Sequence, residues 1–96
     1  MAEPPEPDAL LDGVHDEASF IAFLEALSAD FARERALEAE KPSSPYGPGA
    51  SGWENDRIDS MLEAAAAYAH STRNRPGIDN AWSRCAEILY MGKIYE

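Results

Sequence analysis

The chain has 96 residues, with eighteen acidic and eight basic side chains, one cysteine and a formal charge of −10 at pH 7. That size fits one domain, and that charge repels phosphate backbones and anionic lipid, which argues against direct binding to nucleic acid or to a membrane surface. A single cysteine, Cys85, excludes an internal disulfide and suits a reducing compartment.

The opening stretch MAEPPEPDALLDG is rich in proline and acid and poor in large apolar groups. Residues 1–15 are therefore expected to form a flexible acidic tail, ahead of a single helical domain over residues 16–96. The stretch has neither a positively charged start nor an apolar segment, so a secretory leader is not expected and the cytoplasm is the expected address. The charge is concentrated at this end, because residues 1–40 hold eleven acids and two bases while residues 41–96 hold seven acids and six bases.

Asp16 is a good N-cap, and Glu17 follows where the helix dipole favours an anion. Phe20, Phe23, Leu24, Leu27 and Phe31 then recur at offsets of three and four, which places them on one helical face. Arg33, Glu34, Arg35, Glu38 and Glu40 continue the helix as a polar rod. Lys41-Pro42 ends it near Glu40, because the residue before a proline avoids the helical conformation.

The segment KPSSPYGPGASG, Lys41 to Gly52, carries three prolines and three glycines and is expected to be a flexible loop. It lacks acid, histidine and cysteine. Tyr46 is its candidate contact residue.

A second helix follows, with Asn55 or Asp56 as the expected cap. Its apolar stripe reads Ile58, Met61, Leu62, Ala65 and Ala69, with Ala66 and Tyr68 on the flanks. The alanines leave room for another helix to approach closely. Pro76-Gly77 is a turn signal. Asp79 or Asn80 should cap a third helix that carries Trp82, Cys85, Ala86 and Leu89 on one face, and Gly92 is placed to end it in a left-handed conformation. The run Ala64 to Ala67 is the longest string of small apolar residues, far short of the ~20 a membrane span requires. No segment alternates as a strand would. The expected fold is all-α, a small three-helix bundle in which the second and third helices are antiparallel neighbours and the first covers them.

Trp53-Glu54-Asn55 precedes the second helix. An apolar residue just outside a helix start folds back on the first turn, here toward Ile58, which would make Trp53 a structural latch. The competing expectation makes Trp53 and Glu54 a recognition spot, since tryptophan is enriched where proteins bind.

The stretches GWENDRIDSMLEA and NAWSRCAEILYMGKIYE, with FIAFLEAL ahead of them, resemble an uncharacterised bacterial domain family over residues 16–96. The resemblance implies a domain of unknown function. It supplies no activity, cofactor or catalytic residue.

His15, His70 and Cys85 show no ligand spacing, so no metal site is expected. His70 reads as a polar helix-end residue and Cys85 as a core thiol. No serine sits on a strand-to-helix turn, and YGPGASGWEN lacks the lysine and strand of a phosphate loop. Asp56 and Asp59 are carboxylates of a helix's first turn, where acids are common without chemistry. No catalytic residue and no cofactor are therefore expected. The expected function is a small, acidic, non-enzymatic protein-interaction module whose partner is another protein, a basic one for preference. A toxin-neutralising immunity protein is one form of this by analogy of size and charge. Candidate contact residues are Tyr46, Trp53, Glu54, Glu34 and Glu38. An acidic nucleic-acid mimic, a regulator of a DNA-binding protein and a small enzyme stay as alternatives, and a homodimer is compatible with the sequence.

Overall fold

The computed structural model describes residues 6–41, 52–55, 57–73 and 80–95. Four helices follow in order: α1 over Pro7–Leu11, α2 over Glu17–Glu40, α3 over Ile58–Ser71 and α4 over Ala81–Ile94. The described residues hold no strand, and the fold is all-α. The three long helices are those expected from the sequence. Tyr46 and most of the expected Pro/Gly loop lie outside the described residues.

The short α1 falls in the segment expected to be a tail. Composition alone favours disorder there, but proline is compatible with the first turn of a helix, where its missing N–H would have no partner anyway. Pro7 occupies that position and is fully buried. Leu10 and Leu11 pack against the core beside buried Val14, and Glu6 pairs with Arg33 of α2 at 3.0 Å.

α2 begins and ends where the sequence indicates. The Asp16 carboxylate accepts from the Ser19 N–H at 2.9 Å, and the Ser19 hydroxyl oxygen accepts in return from the Asp16 N–H at 3.1 Å. This reciprocal box satisfies donors that the first turn would otherwise leave open. Phe23 and Leu27 are buried, and Phe20 and Phe31 pack against them.

α2 and α4 run side by side in the same direction. Phe20 meets Trp82 with ring centroids 5.5 Å apart near their starts, and Asp30 meets Lys93 further along. Asn80 caps α4 by accepting from the Ser83 N–H at 3.0 Å, and its side-chain amide donates to the His15 carbonyl at 3.0 Å. The starts of the two helices are thus tied together.

α3 and α4 are antiparallel and form the most extensive helix pair. Gly92 makes this possible. It lies inside α4 and does not end it in a left-handed conformation, as its position near the end of the apolar pattern had suggested. A Cβ built there would stand 2.8 Å from the Met61 carbonyl oxygen and 3.2 Å from the Ala65 Cβ. The alanines of α3 and this glycine therefore let the two backbones approach closely. At the other end of the pair, the Arg84 guanidinium donates to the Ala69 carbonyl at 3.1 Å and to the Thr72 hydroxyl at 2.8 Å, which satisfies the open end of α3.

Two further expectations are corrected. Cys85 is exposed, because α4 buries the face carrying Ala86 and turns the thiol away from the core. On α3, Ala65 of the expected stripe is buried beside Ala64, but Ile58 and Leu62 are 81% and 54% exposed, because α4 is the one helix that packs on α3. α2 packs on α4 and not on α3, so the first long helix leaves α3 uncovered on that side.

Candidate functional site

The Trp53-Glu54-Asn55 segment joins α2, α3 and the end of α4. Gly52 precedes it with φ +88°, a left-handed conformation that glycine adopts at no steric cost. The chain then delivers Trp53 into the core, 5% exposed, with its ring edge-on to Phe31 at a centroid separation of 4.8 Å. The indole Nε1 donates to Asp30 Oδ2 at 2.8 Å.

Asp30 is the hub. Its Oδ2 also accepts from Lys93 Nζ at 2.8 Å, and its Oδ1 accepts from Arg33 Nη2 at 3.0 Å. Lys93 Nζ lies 5.4 Å from the centre of the Trp53 ring, within cation–π range. Burial pushes the Asp30 carboxyl up. The hydrogen bonds from Lys93 and Trp53, with the charges of Lys93 and Arg33, more than offset this and hold its pKa below the usual value near 3.8. The carboxylate is therefore ionised at neutral pH. A buried charge is tolerated when it is paired and its lone pairs are filled, and here both conditions are met.

Glu54 and Asn55 work on α4. The Glu54 and Asn55 backbone N–H groups both donate to the Lys93 carbonyl, at 2.9 and 3.2 Å. The Asn55 side-chain amide donates to the carbonyls of Gly92 and Tyr95, each at 3.0 Å. The last carbonyls of a helix have no partner within it, and this segment supplies them. Asn55 is thus not an N-cap of α3, which starts after Arg57 without a side-chain cap. Asp56, the other expected cap, lies outside the described residues. Trp53, expected to fold back toward Ile58, sends its indole N–H to α2, where Asp30 gives it a buried acceptor.

Beside this latch, the gap between α2 and α3 forms an open apolar groove of about 300 Å³. Leu24, Ser28 and Phe31 of α2 form one wall, Ile58 and Met61 of α3 the other, and Leu27, Trp53 and Leu89 the base.

The residues expected as contacts are not brought together on one surface. Trp53 and Glu34, at 5% and 3% exposure, are buried and offer no surface to a partner in this conformation. Glu38 is half-buried and Glu54 is exposed, while Tyr46 lies outside the described residues. Sequence reasoning missed Asp30 and Lys93 altogether. A signal for Asp30 was present: Phe23, Leu27, Asp30 and Glu34 follow one another at offsets of four, three and four, so two carboxylates extend the apolar face of α2. Lys93 carried no such mark.

Among the described residues no group of three or more histidine, cysteine or carboxylate side chains could hold a metal ion, and no helix is long and apolar enough to cross a membrane. The described polar side chains leave no buried nitrogen or oxygen atom without a hydrogen-bond partner. The latch is thus a saturated structural network, and the groove beside it is an open, apolar, solvent-facing surface. A small helical domain held by an inward-facing latch and presenting an open apolar groove is the class that the fold defines. The chain belongs to a family of unknown function, DUF7660, which it matches over residues 16–96. No curated protein and no solved structure matches it.

Proposed function

We propose that the chain is a non-enzymatic protein-interaction module that works in the cytoplasm and binds another protein through the groove between α2 and α3. The observation that carries this is the exposure of Ile58 and Leu62, 81% and 54%, beside an apolar groove in a chain of net charge −10. Large apolar side chains gathered along a groove mark interaction sites more often than single exposed ones do. The contact surface is then Leu24, Phe31, Ile58 and Met61, with Leu62 exposed nearby and Glu54 and Glu38 as outlying acids. The saturated Asp30 network supports a structural role for Trp53, because every polar atom there is already engaged. A toxin-neutralising protein is the form of this proposal that size and charge favour.

Photo-cross-linking in the native host tests it. A cross-linking residue at position 58 or 62 is expected to trap one discrete protein partner. One at Ala36, about 120° round α2 from Leu24, is expected to trap none. Equal labelling from all three positions would overturn the proposal.

A further inference from the structure

We propose that the groove between α2 and α3 receives the C-terminal end of a partner protein, with the partner's last apolar side chains on the groove floor and its α-carboxylate held by Arg57 and Arg35. The inference rests on the interaction proposal and names the part of the partner that enters.

The groove is short. On α3 its lining is Ile58 and Met61 of the first turn, and on α2 its wall runs from Leu24 to Phe31. At 1.5 Å per residue that wall is about 10 Å long, which an extended chain crosses in about three residues. A helix or strand running past would overhang it at both ends. A chain that stops there fills it.

The cations stand at one end. α3 is antiparallel to α4, and α4 runs with α2, so the start of α3 lies beside the Phe31 end of the groove. Arg57, the residue before α3, is the charged residue in the lining. The Arg35 guanidinium stands over the Phe31 ring, 5.7 Å from its centre. Two guanidinium groups therefore mark the same end of an otherwise apolar groove, and both keep donors to spare. Arg57 donates to Asp59 through Nε at 3.1 Å, in a pair whose side chains are 74% and 69% exposed. So exposed a pair is weak, and the Arg57 Nη groups remain to bind. A cation over a ring face spends no N–H group on a hydrogen bond.

An arginine fork matches a carboxylate, which it grips through parallel N–H bonds. An α-carboxylate sits next to the last side chain of a chain, so it reaches the arginines while that side chain stays in the groove. The net charge of −10 opposes an anion at long range. Charges more than about 8 Å away are largely screened at physiological ionic strength, so the local cations decide.

Titration of the full chain with three peptides, followed by its amide signals, tests this. All are acetylated at the N-terminus and carry Ala-Leu-Leu-Leu: one ends there as the free acid, one ends there as the amide, and one continues with Gly-Ser-Gly, which moves the carboxylate away. The free acid is expected to bind saturably, to shift the signals of Leu24, Phe31, Ile58 and Met61, and to bind about tenfold tighter than the other two. The double variant Arg35→Gln/Arg57→Gln should erase that preference, whereas Ile58→Asp should weaken all three peptides. The substituted side chains are exposed, and circular dichroism checks that folding is retained.

Equal binding of acid and amide, or shifts confined to other faces, would overturn the proposal. So would octanoate binding as tightly as the free-acid peptide, which would give the groove to a small carboxylate, and so would a dimer of the free chain that Ile58→Asp dissociates. In the native host, the cross-link from position 58 should map to the partner's last residues. A cross-link to an internal segment, or a trapped partner without binding of the free-acid peptide, would exclude the chain end and leave the interaction proposal standing. No trapped partner and no peptide binding would sink both.

Discussion

Lys93 and Asp30 stand 63 positions apart in the chain and form an ion pair at 2.8 Å, with side chains 11% and 2% exposed. The pair joins the end of α4 to the middle of α2, and Trp53 completes it by donating to the same carboxylate oxygen. Three parts of the chain that share no local signal are therefore closed around one anion. The motif Trp-Glu-Asn and the closing Lys-Ile-Tyr are two halves of one device.

Removing one partner of this pair leaves a buried charge uncompensated. Asp30→Asn and Lys93→Met are each expected to cost about 3–5 kcal/mol, a large share of what a domain of this size can lose. In a double-mutant cycle the pair should show coupling of about 1–3 kcal/mol. Urea denaturation of the four proteins measures both. Additive effects would mean that the two groups do not interact.

Asn55 separates two local roles. As a helix N-cap it would be replaced by aspartate at little cost, since both side chains accept. As a donor to the carbonyls of Gly92 and Tyr95 it cannot be. Asn55→Asp is thus expected to destabilise by about 1–3 kcal/mol, at least as much as Asn55→Ala, because it sets a carboxylate against two carbonyl oxygens. Thermal unfolding of the two variants compares them.

Gly92→Ala tests the close approach of α3 and α4. The added methyl would stand 2.8 Å from the Met61 carbonyl oxygen, so the helices must separate. The expected loss is about 1–3 kcal/mol, although alanine is the better helix former. A gain in stability would show that Gly92 lies elsewhere than against α3.

Stability should fall in acid for a specific reason. The Asp30 carboxyl is held below its usual value near 3.8 in the folded chain, and so is that of Asp16, by its hydrogen bonds from Ser19. A carboxyl with a lowered folded pKa contributes stability that is fully present above its unfolded value and is lost as pH falls through the folded one. Melting temperature is therefore expected to hold level above about pH 5 and to drop below pH 4. The drop should be smaller in Asp30→Asn.

Much of the architecture was legible because its signals are local. Asp16 and Lys41-Pro42 bound α2 by backbone chemistry within a few residues, and Asn80, one of two expected caps, does the same for α4. The errors fall where tertiary contacts override local pattern. Asn55 has the composition of a cap, yet its amide is drawn 37 positions away to Gly92. Ile58 and Leu62 mark an apolar stripe, yet only α4 packs on α3, and it selects the face of Ala64 and Ala65. Gly92 resembles a helix stop and serves as a contact point. The charged hub had one readable half, Asp30 in line with Phe23 and Leu27, and one unreadable half. A lysine one position before the end of a helix is ordinary on any surface, and only the fold makes Lys93 internal. The groove was not legible, because it results from two helices that fail to meet.

The account stands on Trp53 facing inward, and hydrogen exchange at the two indole N–H groups tests that most directly. The Trp53 signal is expected to exchange slowly, as a buried donor to Asp30, and to lose that protection in Asp30→Asn, while the more exposed Trp82 exchanges fast in both proteins. Rapid exchange of both indoles in the unaltered chain would contradict it and return Trp53 to the surface.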